Sequence, residues 1–166
     1  MATKKKASKA TRATRAPKAS PARAKEKVSP AAPPGVALRL TAELAAPPVR
    51  VFDAWMSGEG HAAFTGAGAT VEARVGGRHT AWDGYIEGTT VEVARPDRIV
   101  QTWRTSEFPA AAPDSRIELS FRPSAIGTEL TLVHTGIPRG QGAKYRRGWE
   151  EHYFSLMRAH FGRGSS

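Results

Sequence analysis

The sequence predicts an α+β domain, a curved antiparallel sheet packed around one long C-terminal helix, preceded by a disordered basic tail. Three observations predict it. One strand-like alternation and two short helical stretches are followed by five or six alternating segments separated by Gly, Pro and Asp-Gly turns. The last stretch, from about Gln141 to Phe161, carries an aromatic stripe at helical spacing. Finally, the basic charge is confined to one end.

The chain has 166 residues, which suits one domain of ordinary size, and a net charge of +10. Residues 1–34 hold ten basic side chains (Lys4, Lys5, Lys6, Lys9, Arg12, Arg15, Lys18, Arg23, Lys25 and Lys27) against the single acid Glu26. The remainder has 15 basic and 14 acidic groups, and all of the aromatic residues, beginning with Phe52. There is no cysteine, which excludes a disulfide scaffold, a thiolate zinc site, an iron–sulfur cluster and a cysteine nucleophile. This usage fits a reducing, cytoplasmic setting. No stretch approaches 18 consecutive apolar residues, so no membrane span is expected.

In residues 1–34 the large aliphatic side chains are Met1 and Val28 alone, and five prolines break any long helix. Such a segment cannot offset an ordering cost of about 1–2 kcal/mol per residue, so disorder is expected. Lys6, Lys9, Arg12, Arg15 and Lys18 recur every third residue, a spacing that lines one edge of a polyproline II chain. Non-specific contact with DNA or RNA phosphates follows, without base stacking because no aromatic interleaves the charges. A solubilising extension and an organelle transit peptide are the competing readings.

The folded part is expected over residues 35–162, with a flexible C-terminus at 163–166. VALRLTAEL (36–44) alternates as a strand, with Val36, Leu38 and Leu40 on one face. Pro47-Pro48 opens a helical stretch that places Phe52, Trp55 and Met56 on one side. Gly58 and Gly60 loosen the chain before a second short helix at HAAF. ATVEARV (69–75) alternates Val71, Ala73 and Val75, and Gly76-Gly77 predicts a tight hairpin into RHTAWD. Asp83-Gly84 is a second hairpin signal, leading into strand 85–94 with Gly88 read as a bulge. RPD turns the chain into RIVQTWRT (98–105), and a proline-bearing loop precedes SRIELSFR (115–122), with Ile117, Leu119 and Phe121 inward. TELTLVH (128–134) places Leu130, Leu132 and His134 on one face. In the final helix Tyr145, Trp149, Tyr153, Leu156 and His160 form the stripe, with Met157 beside it.

The segments VFDAWMSGEGHAAFTG, VGGRHTAWDG, GTTVEVARPDRIVQTW, GTELTLVHTGIP and GWEEHYFSLMRAHF, in that order, resemble the Hsp90-ATPase-activator-homologue domain of the START-like (SRPBCC, Bet v 1-like) superfamily. The resemblance covers roughly residues 36–161. It implies a helix-grip fold enclosing an apolar cavity that takes a lipid- or polyketide-like molecule. The eukaryotic namesake stimulates the Hsp90 ATPase with an additional N-terminal domain. Here a basic tail stands in that place, so an Hsp90-type partner is not expected.

Candidate ligand contacts are Trp55, Trp82, Trp103, Phe121, His134, Trp149 and Tyr153. Each Trp reads either as a cavity wall, its N–H selecting a ligand with an acceptor, or as core filling. Trp82 and Phe121 are favoured for ligand contact, and Trp103 and Trp149, in the family's T-W and G-W motifs, for structure. His134 ends an inward alternation; it offers one hydrogen bond to a ligand, or is a core histidine satisfied by backbone or by Tyr153. His79 and His152 read as solvent-facing. His152 and His160 lack a carboxylate at ligand spacing, so no metal site and no cofactor is implied. No nucleophile elbow, phosphate loop or H-E-x-x-H occurs, and the adjacent Glu150-Glu151 point about 100° apart on a helix. No catalytic residue is assigned, although one His and one Tyr in such a fold leave a hydrolase or cyclase open. The alternative class is a nucleic-acid-associated or protein-interaction module without a small-molecule ligand.

Overall fold

The structure is a computed structural model and describes residues 35–163. The ten basic residues proposed for nucleic acid, and the last three residues, lie outside the described residues. β1 (Val36–Leu44) is followed by α1 (Pro48–Trp55) and α2 (Gly58–Thr65). Six strands come next: β2 (Thr70–Val71), β3 (Arg78–Ala81), β4 (Ile86–Ala94), β5 (Arg98–Thr105), β6 (Ser115–Pro123) and β7 (Thr128–Ile137). They form one seven-stranded antiparallel sheet in the order β1-β7-β6-β5-β4-β3-β2. The C-terminal helix runs through α3 (Gly142–Trp149), a π-helical turn (Glu150–Phe154) and α4 (Ser155–Arg163).

The period-2 alternation does what the pleat demands. Leu38, Leu40, Ala42 and Leu44 of β1, Ile117, Leu119 and Phe121 of β6, and Leu130, Leu132 and His134 of β7 are all buried on one face. Against this face lie Val51, Phe52 and Trp55 of α1 and Tyr145, Trp149, Tyr153, Phe154, Met157 and Phe161 of the C-terminal helix. This is the helix-grip arrangement.

Five buried helix residues, 145, 149, 153, 157 and 161, recur at intervals of four. In an unbroken α-helix that row would drift by ~160° over its length. The π-helical turn absorbs one residue and cuts the drift to ~60°, so the whole row stays against the sheet. Leu156 and His160, placed in the stripe from α-helical spacing, are only half-buried for this reason.

Several local expectations are corrected. Strand 69–75 shrinks to Thr70–Val71, and Val75 is 61% exposed. Residues 72–77 instead make a loop in which Glu72 accepts from the Arg78 amide through Oε1 (2.9 Å), while Gly76 N–H bonds the Thr90 carbonyl (2.8 Å). Gly58 and Gly60 do not loosen the chain: they open α2, where Ser57 Oγ caps the Gly60 amide at 3.0 Å. A Cβ on Gly60 would lie 2.7 Å from Ala54 Cα, so the glycine lets α2 seat directly on α1. The bulge of β4 falls between Thr90 and Glu92, not at Gly88. Gly88 serves a different need, since a Cβ there would strike the His79 ring and the Thr102 carbonyl. Through that gap His79, buried rather than solvent-facing, bonds the Thr102 carbonyl at 3.0 Å and ties β3 to β5.

Candidate functional site

A cavity of about 510 Å³ lies between the β3–β4 turn, the start of β4, Trp103 of β5 and the C-terminal helix. Its inner wall is aromatic and buried: Trp103, Tyr145, Trp149 and Tyr153, with Ile86. Trp82 and Tyr85, half-buried, come from the turn. Lys144, Arg147 and His152, all exposed, stand at the mouth beside Gly148.

The turn is held under tension. Trp82 and Asp83 both adopt left-handed backbone conformations (φ 53° and 56°), unfavourable for residues bearing a Cβ. Asp83 is held by two bonds to Gly68, one through its amide and one through its carboxylate, each 2.9 Å. The Trp82 indole packs edge-on against His152 (5.7 Å between centroids) and Tyr153 (6.4 Å), bringing an aromatic face to the cavity.

Most polar handles of the wall are already engaged on the far side. Trp149 Nε1–H donates to His134 Nδ1 (3.0 Å). The Ser115 hydroxyl donates to the Trp103 carbonyl (2.6 Å), so His134 Nε2–H donates to Ser115 Oγ at 2.8 Å. An indole only donates, so this relay fixes His134 as the neutral Nε2–H tautomer, and burial lowers its pKa to about 3. On the other side His61 Nδ1–H donates to the Trp55 carbonyl (3.2 Å), which leaves Nε2 to accept from the Tyr153 hydroxyl at 2.9 Å. Burial lowers the His61 pKa to about 4 and raises that of Tyr153. Tyr145 shares a 2.6 Å hydrogen bond with Thr105 Oγ1. What remains facing the cavity is aromatic surface, and the Trp103 indole N–H has no hydrogen-bond partner among the described residues.

Of the seven candidate contacts, Trp82, Trp103, Trp149 and Tyr153 are brought together on this cavity. Trp55 lies behind Tyr153 and donates to Gln101 Oε1 at 3.1 Å. Phe121 packs against Phe52 (5.4 Å) inside the core and is not on the wall, while Trp103 and Trp149, favoured for structure, are. His134 is fully buried behind Trp149, and its partners are Ser115 and Trp149 rather than Tyr153. Tyr85, Ile86, Tyr145, Arg147 and Gly148 were not singled out from sequence. Tyr145 belonged to the stripe, but nothing local marks which member of the stripe faces a cavity. Among the described residues no group of three His, Cys, Asp or Glu side chains could hold a metal ion, and no helix is long and apolar enough to cross a membrane.

The family model described as activator of Hsp90 ATPase homolog 1-like protein matches residues 45–162. The human activator of 90 kDa heat shock protein ATPase homolog 1 is 34% identical over 103 residues, covering 62% of this chain and 30% of the human one. The Dictyostelium discoideum homolog is 28% identical over 127 residues, covering 75% and 32%. The chain thus spans about a third of the length of these curated relatives. The crystal structure of an HSP90 activator from Plasmodium falciparum superposes with a TM-score of 0.70 at 25% identity, covering 77% of this chain and 97% of that one. The sheet gripping its helix and the match across 45–162 agree: the chain belongs to the activator of Hsp90 ATPase homolog 1-like family.

Proposed function

We propose that the domain is a non-enzymatic binder of an apolar small molecule, held between sheet and C-terminal helix. The observation that carries this reading is the aromatic cavity of about 510 Å³, a volume within the usual range for small-molecule sites. Gly148 supports it. Glycine inside a helix costs about 1 kcal/mol relative to alanine. At 148 no neighbour requires it, because a Cβ would meet nothing within 4 Å. The missing side chain keeps the mouth wide.

The test is native mass spectrometry of the freshly purified full chain beside Gly148→Phe. The expected result is an apolar adduct on the wild type, absent from a variant that melts no lower. An adduct kept by Gly148→Phe, or a wild type that carries none and takes up no apolar probe, would sink the reading.

A second reading is favoured by the relatives, whose names are those of Hsp90 ATPase activators. Stimulation of an Hsp90 ATPase by the full chain would support it, and a flat response at saturating concentration would remove it. For the basic segment 1–34 we propose non-specific contact with nucleic-acid phosphates, carried by its ten cations.

A further inference from the structure

The two basic side chains of the cavity mouth that carry a permanent charge, Lys144 and Arg147, are not equivalent. Lys144 is paired with Glu107, which also accepts from the Tyr85 hydroxyl at 2.9 Å. Arg147 has no carboxylate partner among the described residues. Its natural candidates lie three and four residues on. Glu150 is turned to Arg158 (3.9 Å), and Glu151 falls inside the π-helical turn, where the wider winding takes it off the α-helical i, i+4 position. Lys144 and Arg147 against Glu107 leave one uncompensated positive charge at the opening of an aromatic chamber.

We infer that the chamber takes an apolar body bearing a single carboxylate, and that Arg147 receives the carboxylate; this rests on the apolar-cavity reading above. The Trp149, Tyr145 and Tyr153 polar groups are spent on His134, Thr105 and His61. The Trp103 indole N–H stays free on the wall but is neutral, so a ligand's anionic end gains most beside the guanidinium at the mouth. The guanidinium fork matches a planar carboxylate with two parallel hydrogen bonds. A dianion such as a phosphate monoester would bring a second charge beside Glu107, where the lining offers no further Lys or Arg beyond the paired Lys144. Gly148, next to Arg147 in the chain, leaves space for the body of the ligand to pass.

The experiment is isothermal titration of the full chain with 2-naphthylacetate, with its neutral counterpart 2-(2-naphthyl)ethanol, and with 2-naphthyl phosphate. Wild type should bind the acid about fivefold tighter than the alcohol, the size of a partly exposed charge-assisted pair. Arg147→Gln, an exposed exchange between residues of similar helix propensity, should erase the preference and leave the alcohol unchanged. Arg147→Lys should keep part of it. Equal binding of acid and alcohol by wild type overturns the inference while sparing the cavity, as does an undiminished preference in Arg147→Gln. Tighter binding of the phosphate overturns the choice of a carboxylate. If none of the three probes binds, the cavity reading falls with it.

Discussion

His61 and His134 sit on opposite sides of the cavity wall as opposite neutral tautomers, each dictated by a partner that has no choice of role. The Trp55 carbonyl only accepts and the Trp149 indole only donates. Protonating His134 would set two N–H groups against each other, and protonating His61 would force the buried Tyr153 hydroxyl from donor to acceptor. The consequence for stability has a definite sign. In the unfolded chain both titrate near 6.5; in the fold burial holds them at about 4 and about 3. Below pH 6.5 the unfolded state takes up protons that the native state refuses, so stability falls as pH drops from 6.5 toward 4. The two sites would remove on the order of 3 kcal/mol (His61) and 5 kcal/mol (His134) across their full windows. His79, lowered chiefly by burial, adds in the same direction. Urea midpoints at pH 7.5 and 5.0, a range above the ordinary carboxylate titrations, should therefore drop steeply. Replacing His134 by Leu should flatten the slope while lowering stability at pH 7.5 by about 2–4 kcal/mol, because Trp149 and Ser115 lose their partner. A flat wild-type profile would contradict the burial of His61 and His134 as neutral imidazoles. The inward orientation of His134 was legible from the alternation Leu130-Leu132-His134. Its partners were not, because Ser115 and Trp149 meet it only through strand register and helix rotation.

At the level of elements, the C-terminal helix shows why spacing alone misplaces part of a face. Its existence and its aromatic side were readable at 141–161, yet Leu156 and His160 were assigned inward where Phe154 and Phe161 are. An α-helical wheel has no position for a π-helical turn, and the turn is visible only once Met157 and Phe161 must reach the same sheet as Tyr145. The turn predicts an asymmetry. Deleting the exposed Glu151 should restore plain α-helix with Met157 and Phe161 still facing inward, costing about 1–2 kcal/mol. Inserting one alanine after Glu151 should rotate both by ~100° away from the core, at a cost on the order of 5 kcal/mol. Thermal unfolding of the two variants checks this; equal destabilisation would contradict it. The strand expected at 69–75 failed for another reason. Its alternation is genuine, but Gly76 and Gly77 are bonded to Thr90 across the sheet, which draws 72–77 into a loop before a second ladder can form.

For the molecule as a whole, the charge and the fold pose separate questions. Residues 35–166 are nearly neutral, with 15 basic and 14 acidic groups. A chain beginning at Gly35 should melt as the full chain does, yet lose retardation of duplex DNA at low salt. For the full chain, ten neutralised phosphates would give a log–log salt slope approaching about −9; equal retardation by both forms would move the contact onto the domain. The fold class was legible because hairpin turns, alternation and a single amphipathic helix left one way to bury both apolar faces. Which inward aromatics line the cavity was not, since Phe121 and Trp103 both point inward and only the lie of the helix decides which is covered. One feature of that interior reaches into spectroscopy. All four tryptophans belong to one cluster: Trp149 lies 5.5 Å from Trp103 and 6.4 Å from Trp55, and Tyr153 bridges to Trp82. The intrinsic fluorescence therefore comes entirely from the cavity wall and the layer behind it, with no distant indole to dilute it. At these centroid separations the indoles should also couple as excitons in the circular dichroism. The chain carries its own optical gauge of whether its chamber is filled.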